Sequence, residues 1–245
     1  MNGIIIIDKP AGWTSHDVVG KLRGLLHERR IGHGGTLDPM ATGVLPVFVG
    51  RATRAVEFCE NYEKEYIAGI KLGITTDTQD ITGNILKEMP VDVSKEALLE
   101  VLKQFKGEQE QIPPMYSAVK VGGKKLYELA RKGKEIERKP RKIEIKKLEL
   151  IEAREDGEFL LDIICSKGTY IRTLCSDIGD ALGCGGVMSS LRRVRAGAFE
   201  LESAISMEYV GKMAQEGKAE EMMLPVDRLF VKYPAISAEK PEEEK

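Results

Sequence analysis

The chain has 245 residues, a mass of 27.2 kDa and a formal net charge of −2. This length suits one large domain or two small ones, and 42% hydrophobic with 31% charged residues is typical of a globular protein rather than a disordered or fibrous one. No apolar run approaches the roughly 20 residues that cross a bilayer, which argues against a membrane or secreted protein and favours a cytoplasmic one.

The predicted elements mix helices and strands without a regular alternation. In the first half of the chain, apolar periodicity and turn residues predict a strand over 3–7, a helix capped by Ser15, a strand over 43–49, a helix over 53–61, a strand over 65–72 and a turn over 77–83. A helix capped by Ser94 and running to 105 follows, and then a short helix over 124–132. The remaining predicted elements are strands over 142–153 and 158–166 with a hairpin turn at Asp156-Gly157, a helix over 169–182, a strand over 191–198 and a helix over 207–215. This order favours an α+β fold with a mixed, largely antiparallel sheet flanked by helices. We expect one domain over residues 1–235 and a disordered acidic tail over 236–245.

Charge is distributed unevenly along the chain. The stretch from Lys120 to Lys147 has 12 basic and 4 acidic residues, although the whole chain is nearly neutral. Such a stretch can bind a polyanion or can be an ordinary solvated face, and charge alone does not separate the two.

Metal binding is not indicated by the cysteines and histidines. The four cysteines, at 59, 165, 175 and 184, form no closely spaced pair, and only three histidines are present. Zinc sites need clustered ligands, so we expect no metal and interpret the cysteines as reduced, partly buried thiols.

The segment 32–46 places a histidine, two glycines, a threonine and Asp38 just before an apolar strand. Glycine lets the backbone approach a large ligand closely, and Pro39 restricts Asp38 to extended geometry. A carboxylate there suits a nucleophile or base, but an Asx turn is the simpler alternative. A phosphate-binding loop is excluded because no Gly-Lys-Ser/Thr follows the glycines.

Two further segments contain candidate functional residues. Arg172 falls in the first turn of a predicted helix, where the helix dipole disfavours a cation unless an anion is close. The anion would be Asp38 or a phosphate. The alternative is that Arg172 is an ordinary surface arginine with no functional role. A carboxylate paired with arginine stays ionised and oriented. Tyr66 follows Lys64 at a strand start and can stack on an unpaired base, although such a tyrosine is more often part of a core.

Six segments, in this order, resemble the motifs of the TruB family, the tRNA pseudouridine-55 synthases, over about residues 1–230. They are Gly3-Ile-Ile-Ile-Ile-Asp-Lys-Pro10, Gly32-His-Gly-Gly-Thr-Leu-Asp38-Pro-Met-Ala-Thr-Gly43, Lys64-Glu-Tyr66, Pro113-Pro-Met-Tyr-Ser-Ala118, Ser166-Lys-Gly-Thr-Tyr170-Ile-Arg172 and Leu191-Arg-Arg193. The resemblance implies a pseudouridine synthase-like fold and the isomerisation of uridine 55 in the T-arm loop of tRNA, without metal or cofactor, by a monomer.

The resemblance also implies a role for each site residue. Asp38 is the catalytic aspartate, acting as a nucleophile or as a base, and the target uridine is flipped out of its stack. Further roles are assigned in the same way: Arg172 pairs with Asp38, Tyr66 stacks on the uracil and collects the C5 proton, Tyr170 contacts the base, Leu191 lines the pocket, His33 fills the vacated space in the RNA, Lys9 and Pro10 shape the floor, and the stretch from Lys120 to Lys147 covers T-arm phosphates.

Two departures from the family pattern bear on these expectations. Gly34 stands where the family usually has threonine, which we expect to loosen the loop. Bacterial relatives usually continue into a C-terminal PUA domain, and the sequence after Pro234 is too short for one, so we expect binding that is weaker or more centred on the T-arm. The rival functions are a non-catalytic RNA-binding protein and a synthase directed by guide RNA.

Overall fold

Thirteen strands and six α-helices form the described part of the chain, which is residues 1–60, 62–154 and 157–230 of a computed structural model. The strands are β1 (Gly3–Lys9), β2 (Ile31–His33), β3 (Thr42–Val49), β4 (Lys64–Leu72), β5 (Ile74–Thr76), β6 (Ile85–Glu88), β7 (Gly107–Gln111), β8 (Lys120–Val121), β9 (Lys124–Lys125), β10 (Arg141–Ala153), β11 (Glu158–Cys165), β12 (Gly186–Ala196) and β13 (Phe199–Glu200). The helices are α1 (Ser15–Leu26), α2 (Val56–Glu60), α3 (Lys95–Gln104), α4 (Leu126–Ala130), α5 (Ile171–Ala181) and α6 (Met207–Gln215).

One nine-stranded sheet organises the molecule. Its order is β1-β3-β12-β4-β11-β10-β7, with β2 pairing with β3 and β13 with β12. The pair of β3 and β12 is parallel, and the other pairs within this sheet are antiparallel. The predicted fold class, α+β on a mixed and largely antiparallel sheet, is therefore confirmed.

The four consecutive isoleucines of β1 are buried because this strand is covered on both faces. Ile5 and Ile7 belong to the larger hydrophobic core, and Ile4 and Ile6 belong to a second, smaller one. Side chains alternate between the faces of a strand, so a continuous apolar run is needed where both faces are covered. β1 pairs with β3, a second strand covered on both faces, and β3 begins directly after the loop that contains Asp38.

Several predicted boundaries differ from the structure. The cap of α1 is Thr14, which forms a reciprocal capping box with Asp17, so Ser15 was the wrong residue. The Ser15 hydroxyl instead accepts a hydrogen bond from the backbone N–H of Leu37 at 2.9 Å and thereby holds the loop before Asp38. The strand predicted over 191–198 begins five residues earlier, at Gly186. The short strands β2, β5, β6, β7, β8, β9 and β13 were not predicted.

Three predictions touch residues outside the described part of the chain. The helix predicted over 53–61 is a 3-10 turn over Gly50–Ala55 followed by α2, and Asn61 is not described. The hairpin between β10 and β11 is present, but Asp156 of its turn is not described. The acidic tail over 236–245 lies beyond residue 230, so the predicted domain end stays a prediction.

Candidate active site

The Asp38 loop, residues 34–41, connects β2 to β3 and is held from below by a buried lysine. Lys9 is fully buried, and its Nζ donates hydrogen bonds to the carbonyl oxygens of Trp13 at 2.6 Å, Pro10 at 2.9 Å and Pro39 at 3.2 Å. Burial lowers the pKa of Lys9 to about 8. This position is consistent with the expected role of Lys9 in the floor of the site, because its Nζ binds the carbonyl oxygen of Pro39, the residue next to Asp38.

Arg172 joins Asp38 to two other segments of the chain. Its Nε lies 2.8 Å from Asp38 Oδ2, and its Nη2 lies 3.3 Å from Asp38 Oδ1. Its Nη1 lies 3.6 Å from a carboxylate oxygen of Asp80, and the guanidinium donates to the carbonyl oxygens of Thr78 at 3.1 Å and Tyr116 at 2.9 Å. The two carboxylates are the anions that stabilise a cation in the first turn of α5.

Asp38 is neither fully buried nor fully exposed. Its side chain is 35% exposed, compared with 6% for the side chain of Arg172. Burial raises the pKa of Asp38 above its usual range, Asp80 adds to this effect, and Arg172 opposes it. Pairing with Arg172, which we expect to keep Asp38 ionised and oriented, thus acts against the larger effect of desolvation.

Tyr66 lies in the centre of the sheet, opposite Arg193. In the β4–β12 ladder these two residues are directly paired, and Leu191 pairs with Ala68 two positions along the same strands. Tyr66 and Leu191 are each 8% exposed and belong to the larger core. Burial raises the pKa of the Tyr66 hydroxyl, and the charge and hydrogen bonding of Arg193 oppose that rise.

His33 ends β2, one residue before the Asp38 loop. Its ring meets that of His16 edge to face, with the centroids 5.3 Å apart. Among the described residues, its buried Nδ1 has no hydrogen-bond partner. Burial, followed by the nearby His16 and Arg193, lowers the pKa of His33 to about 4, so the ring is neutral at physiological pH.

Tyr170 is the N-cap residue of α5 and is fastened to the sheet edge by Gln111. The Tyr170 backbone N–H donates to Gln111 Oε1 at 2.8 Å, and Gln111 Nε2 donates back to the Tyr170 carbonyl oxygen at 3.1 Å. The helix predicted to begin at 169 begins at Ile171, so Tyr170 precedes the first turn that contains Arg172. The two residues remain neighbours, as the sequence requires.

Gly34 does not leave the loop loose. A Cβ at this position would lie 2.7 Å from Cys59 Sγ and 3.1 Å from Phe48 Cε2, so these two buried side chains occupy the space beside it. The expectation that glycine loosens the loop is wrong, because the neighbouring core fills the gap.

The basic stretch from Lys120 to Lys147 is not one continuous surface. Its final residues belong to β10, where Lys147 Nζ pairs with Asp162 at 2.6 Å and Lys146 pairs with Glu63. Its first part folds as the β8–β9 hairpin and α4, with Lys125 and Arg131 each 5.5 Å from the ring of Tyr127. This first part adjoins the site, because the Tyr127 backbone N–H donates to the carbonyl oxygen of Ser117, next to Tyr116.

No metal-binding cluster is found in residues 1–60, 62–154 and 157–230, where no three His, Cys, Asp or Glu side chains are grouped suitably. All four cysteines are buried. Over the same ranges, none of the helices has the length and hydropathy that crossing a membrane requires.

Three residues of the site were not predicted as functional. Asp80 lies in a turn, Gln111 ends the unpredicted strand β7, and Arg193 was quoted only as part of a motif. Each is buried or nearly so, at 6%, 4% and 1% exposed. Arg193 stands two positions after Leu191, on the strand face that alternation predicts to be buried; a charged residue there needs a buried partner, and this was the one available signal.

Comparison with known proteins places this geometry in a family. The model of the TruB family pseudouridylate synthase N-terminal domain matches residues 23–171, and that of the tRNA pseudouridylate synthase B C-terminal domain matches residues 172–231. The tRNA pseudouridine synthase B of Alkaliphilus oremlandii is 50% identical over 227 residues, covering 93% of this chain and 75% of that protein. The namesake of Clostridium kluyveri is 46% identical, covering 98% of this chain and 81% of its own.

A solved structure of a Cbf5-Nop10-Gar1 complex is also similar. It aligns with a TM-score of 0.74 and 33% identity, covering 93% of this chain and 61% of that one. Fold and site together define an enzyme of the pseudouridine synthase class, an isomerase. Within that class, the chain belongs to the TruB family of pseudouridylate synthases.

Proposed function

We propose that this enzyme converts uridine 55 in the T-arm loop of tRNA to pseudouridine, with Asp38 as the catalytic residue. Two relatives at 46–50% identity are named tRNA pseudouridine synthase B, which supports tRNA as the substrate. The observation that carries the proposal is the contact of both oxygens of the partly exposed Asp38 carboxylate with the buried Arg172 guanidinium.

The reaction rearranges one nucleotide without gain or loss of atoms. The flipped uridine presents its ribose to Asp38, which attacks C1′ or removes the C2′ proton. In either route the N1–C1′ bond breaks and its electron pair stays on the uracil. The uracil then turns and C5 bonds to C1′; the Asp38–C1′ ester bond breaks in the first route, and Asp38 returns its proton to C2′ in the second. The C5 proton is then removed, and N1 gains a proton. This series of steps is redox-neutral and requires no cofactor.

The other site residues position the substrate in this proposal. Arg172 orients the Asp38 carboxylate, and Tyr66 stacks on the uracil and collects the C5 proton. Tyr170 contacts the base from the start of α5, and Leu191 closes the pocket from β12. His33 fills the space that the flipped base leaves in the RNA, and its neutral ring suits insertion between stacked bases.

Release of tritium from tRNA labelled at uridine C5 tests the reaction directly. We expect release with the wild-type chain, none with Asp38→Ala, and none from a tRNA whose uridine 55 is replaced by cytidine. Absence of release above the Asp38→Ala background would refute the enzyme and favour a non-catalytic RNA-binding protein. Release only when a guide RNA is supplied would refute free tRNA as the substrate. An isolated T-arm hairpin is expected to suffice.

A further inference from the structure

Arg193 is a buried cation that none of the proposed steps uses. It lies on β12 and is 1% exposed. Its Nε donates to the carbonyl oxygen of Val44 at 2.7 Å, and its Nη2 donates to that of Gly35 at 3.0 Å. Within the described part of the chain, no carboxylate forms an ion pair with it. A fully buried charge is costly unless it is hydrogen-bonded, and here carbonyl dipoles supply those bonds.

The two carbonyl groups flank Asp38 in the chain. Gly35 lies near the start of the Asp38 loop, and Val44 lies just after its end, so one guanidinium holds both sides of the loop. The backbone at Gly43 is pressed against the same residue, since a Cβ there would lie 2.2 Å from the Arg193 carbonyl oxygen. Gly43 also has a φ of +98°, which only glycine adopts readily. The loop is therefore closely fitted to Arg193.

The charge of Arg193 reaches several groups of the site. It adds to the larger effect of burial in lowering the pKa values of Lys9 and His33, and it opposes the burial that raises the pKa of Tyr66. Arg172 is shared by Asp38 and Asp80, whereas Lys9 and Arg193 bind carbonyl oxygens instead. Arg193 therefore carries a positive charge that no carboxylate pairs with among the described residues, and this charge opposes the cost of burying a negative charge beside Tyr66.

Resting on the proposed function, we propose that Arg193 is a positioning residue whose buried charge offsets the negative charge of the detached uracil while its donors hold the Asp38 loop. Breakage of the N1–C1′ bond leaves the electron pair on the base, so an anion forms where Tyr66 is proposed to stack. A preorganised charge in a water-poor site stabilises such an anion more strongly than it would in water. Arg193 faces Tyr66 across the ladder and acts through it without touching the ribose.

Two polar substitutions separate the charge from the hydrogen bonds. Arg193→Gln keeps a donor and removes the charge, whereas Arg193→Lys keeps the charge and cannot reach both carbonyls in the same way. Arg192→Gln is the matched control, because Arg192 is the next residue on β12, is 40% exposed at its side chain and pairs with Asp8 at 2.8 Å. Each variant is assayed under single turnover on tRNA carrying uridine or 5-fluorouridine at the target position. The fluorine stabilises the uracil anion. Nuclease digestion and mass spectrometry measure the loss of the original nucleotide from the tRNA.

A charge role predicts unequal losses on the two substrates. We expect Arg193→Gln to slow the uridine reaction by about 100-fold and the fluorouridine reaction by about 10-fold, in the range of a lost electrostatic donor. Arg193→Lys should stay within about 10-fold with the wild-type ratio of the two rates, and Arg192→Gln within about threefold on both substrates.

Equal losses on both substrates, a wild-type rate for Arg193→Gln, or a lysine variant as slow as the glutamine variant would each overturn the inference. If Arg193→Gln lacks the wild-type circular dichroism, Arg193→Met carries the same comparison. A wild-type chain that releases no tritium from tRNA refutes the proposed function instead, so the two failures are distinguishable.

Discussion

Replacing Gly34 with alanine tests how tightly the Asp38 loop is packed. The glycine is buried, and the added Cβ would lie 2.7 Å from Cys59 Sγ, 3.0 Å from Cys59 Cβ and 3.1 Å from Phe48 Cε2. Cys59 and Phe48 are 1% and 0% exposed, so neither can swing into solvent. Gly34 is not among the residues with positive φ, and the cost is therefore one of space rather than of backbone conformation.

The magnitude follows from two opposing effects. Overpacking a well-packed core costs about 1–3 kcal/mol, whereas replacing glycine by alanine stabilises by about 0.4–1 kcal/mol through the unfolded chain. We expect a net loss of about 1–2 kcal/mol, which corresponds to a fall in Tm of about 2–8 °C for a domain of this size. Thermal unfolding followed by circular dichroism measures it.

Gly32→Ala is the matched control two residues earlier. Its Cβ would lie 3.8 Å from Val56 Cγ2 and 3.9 Å from Thr53 Cγ2, which is ordinary contact, so we expect unchanged or slightly raised stability. Combining Gly34→Ala with Cys59→Ala removes the closest clash and should recover about 1 kcal/mol relative to additivity. A Gly34→Ala variant as stable as Gly32→Ala, or strict additivity in the double variant, would refute the packing argument.

Three other perturbations probe the site, the RNA surface and a charge outside both. Asp38→Asn should abolish tritium release and leave the Kd for tRNA within about threefold, because it removes a charge without changing shape; a large loss of binding would contradict the proposed role. Replacing Lys124, Lys125, Arg131 and Lys132 by glutamine should reduce the slope of log K against log salt by about one for each lost phosphate contact, and an unchanged slope would place the RNA elsewhere. Burial, with help from Asp180, raises the pKa of Asp177 to about 6 from 3.8, so stability falls as pH rises through that window. Asp177→Asn should therefore stabilise the fold by about 1–2 kcal/mol at pH 7 and not at pH 4, as urea unfolding at the two pH values would show.

The elements with strong local patterns could be predicted from sequence. Ser94 does cap α3, whose predicted end at Phe105 is its C-cap residue, and α6 has the predicted bounds. The short exposed strand β6, with all four residues exposed, has no buried face and so no alternation to detect. Its pairing with β5 depends on a contact that only the folded chain provides.

The site divides in the same way. The contact between Asp38 and Arg172 was anticipated as one of two possibilities, because a cation at a helix start calls for a nearby anion. Asp80 was missed because aspartate in a turn is usually explained by local hydrogen bonds, and it does accept them from Thr78 and Thr82. Asp80 also shares Arg172 with Asp38. Asp80 and Arg172 are 92 residues apart in the sequence and meet only in the folded chain.

The buried cations contact different parts of the Asp38 loop, and this separation predicts that the loop keeps its shape when the Asp38 carboxylate is lost. Lys9 and Arg193 hold the Asp38 loop through carbonyl oxygens of Pro39, Gly35 and Val44, none of which titrates. The side chain of Asp38 is held separately, by Arg172. We therefore expect the loop to keep its shape when the charge on Asp38 is removed, so that Asp38→Asn loses the chemistry and preserves the surface that meets the RNA. A loop anchored mainly by the carboxylate would instead lose both together.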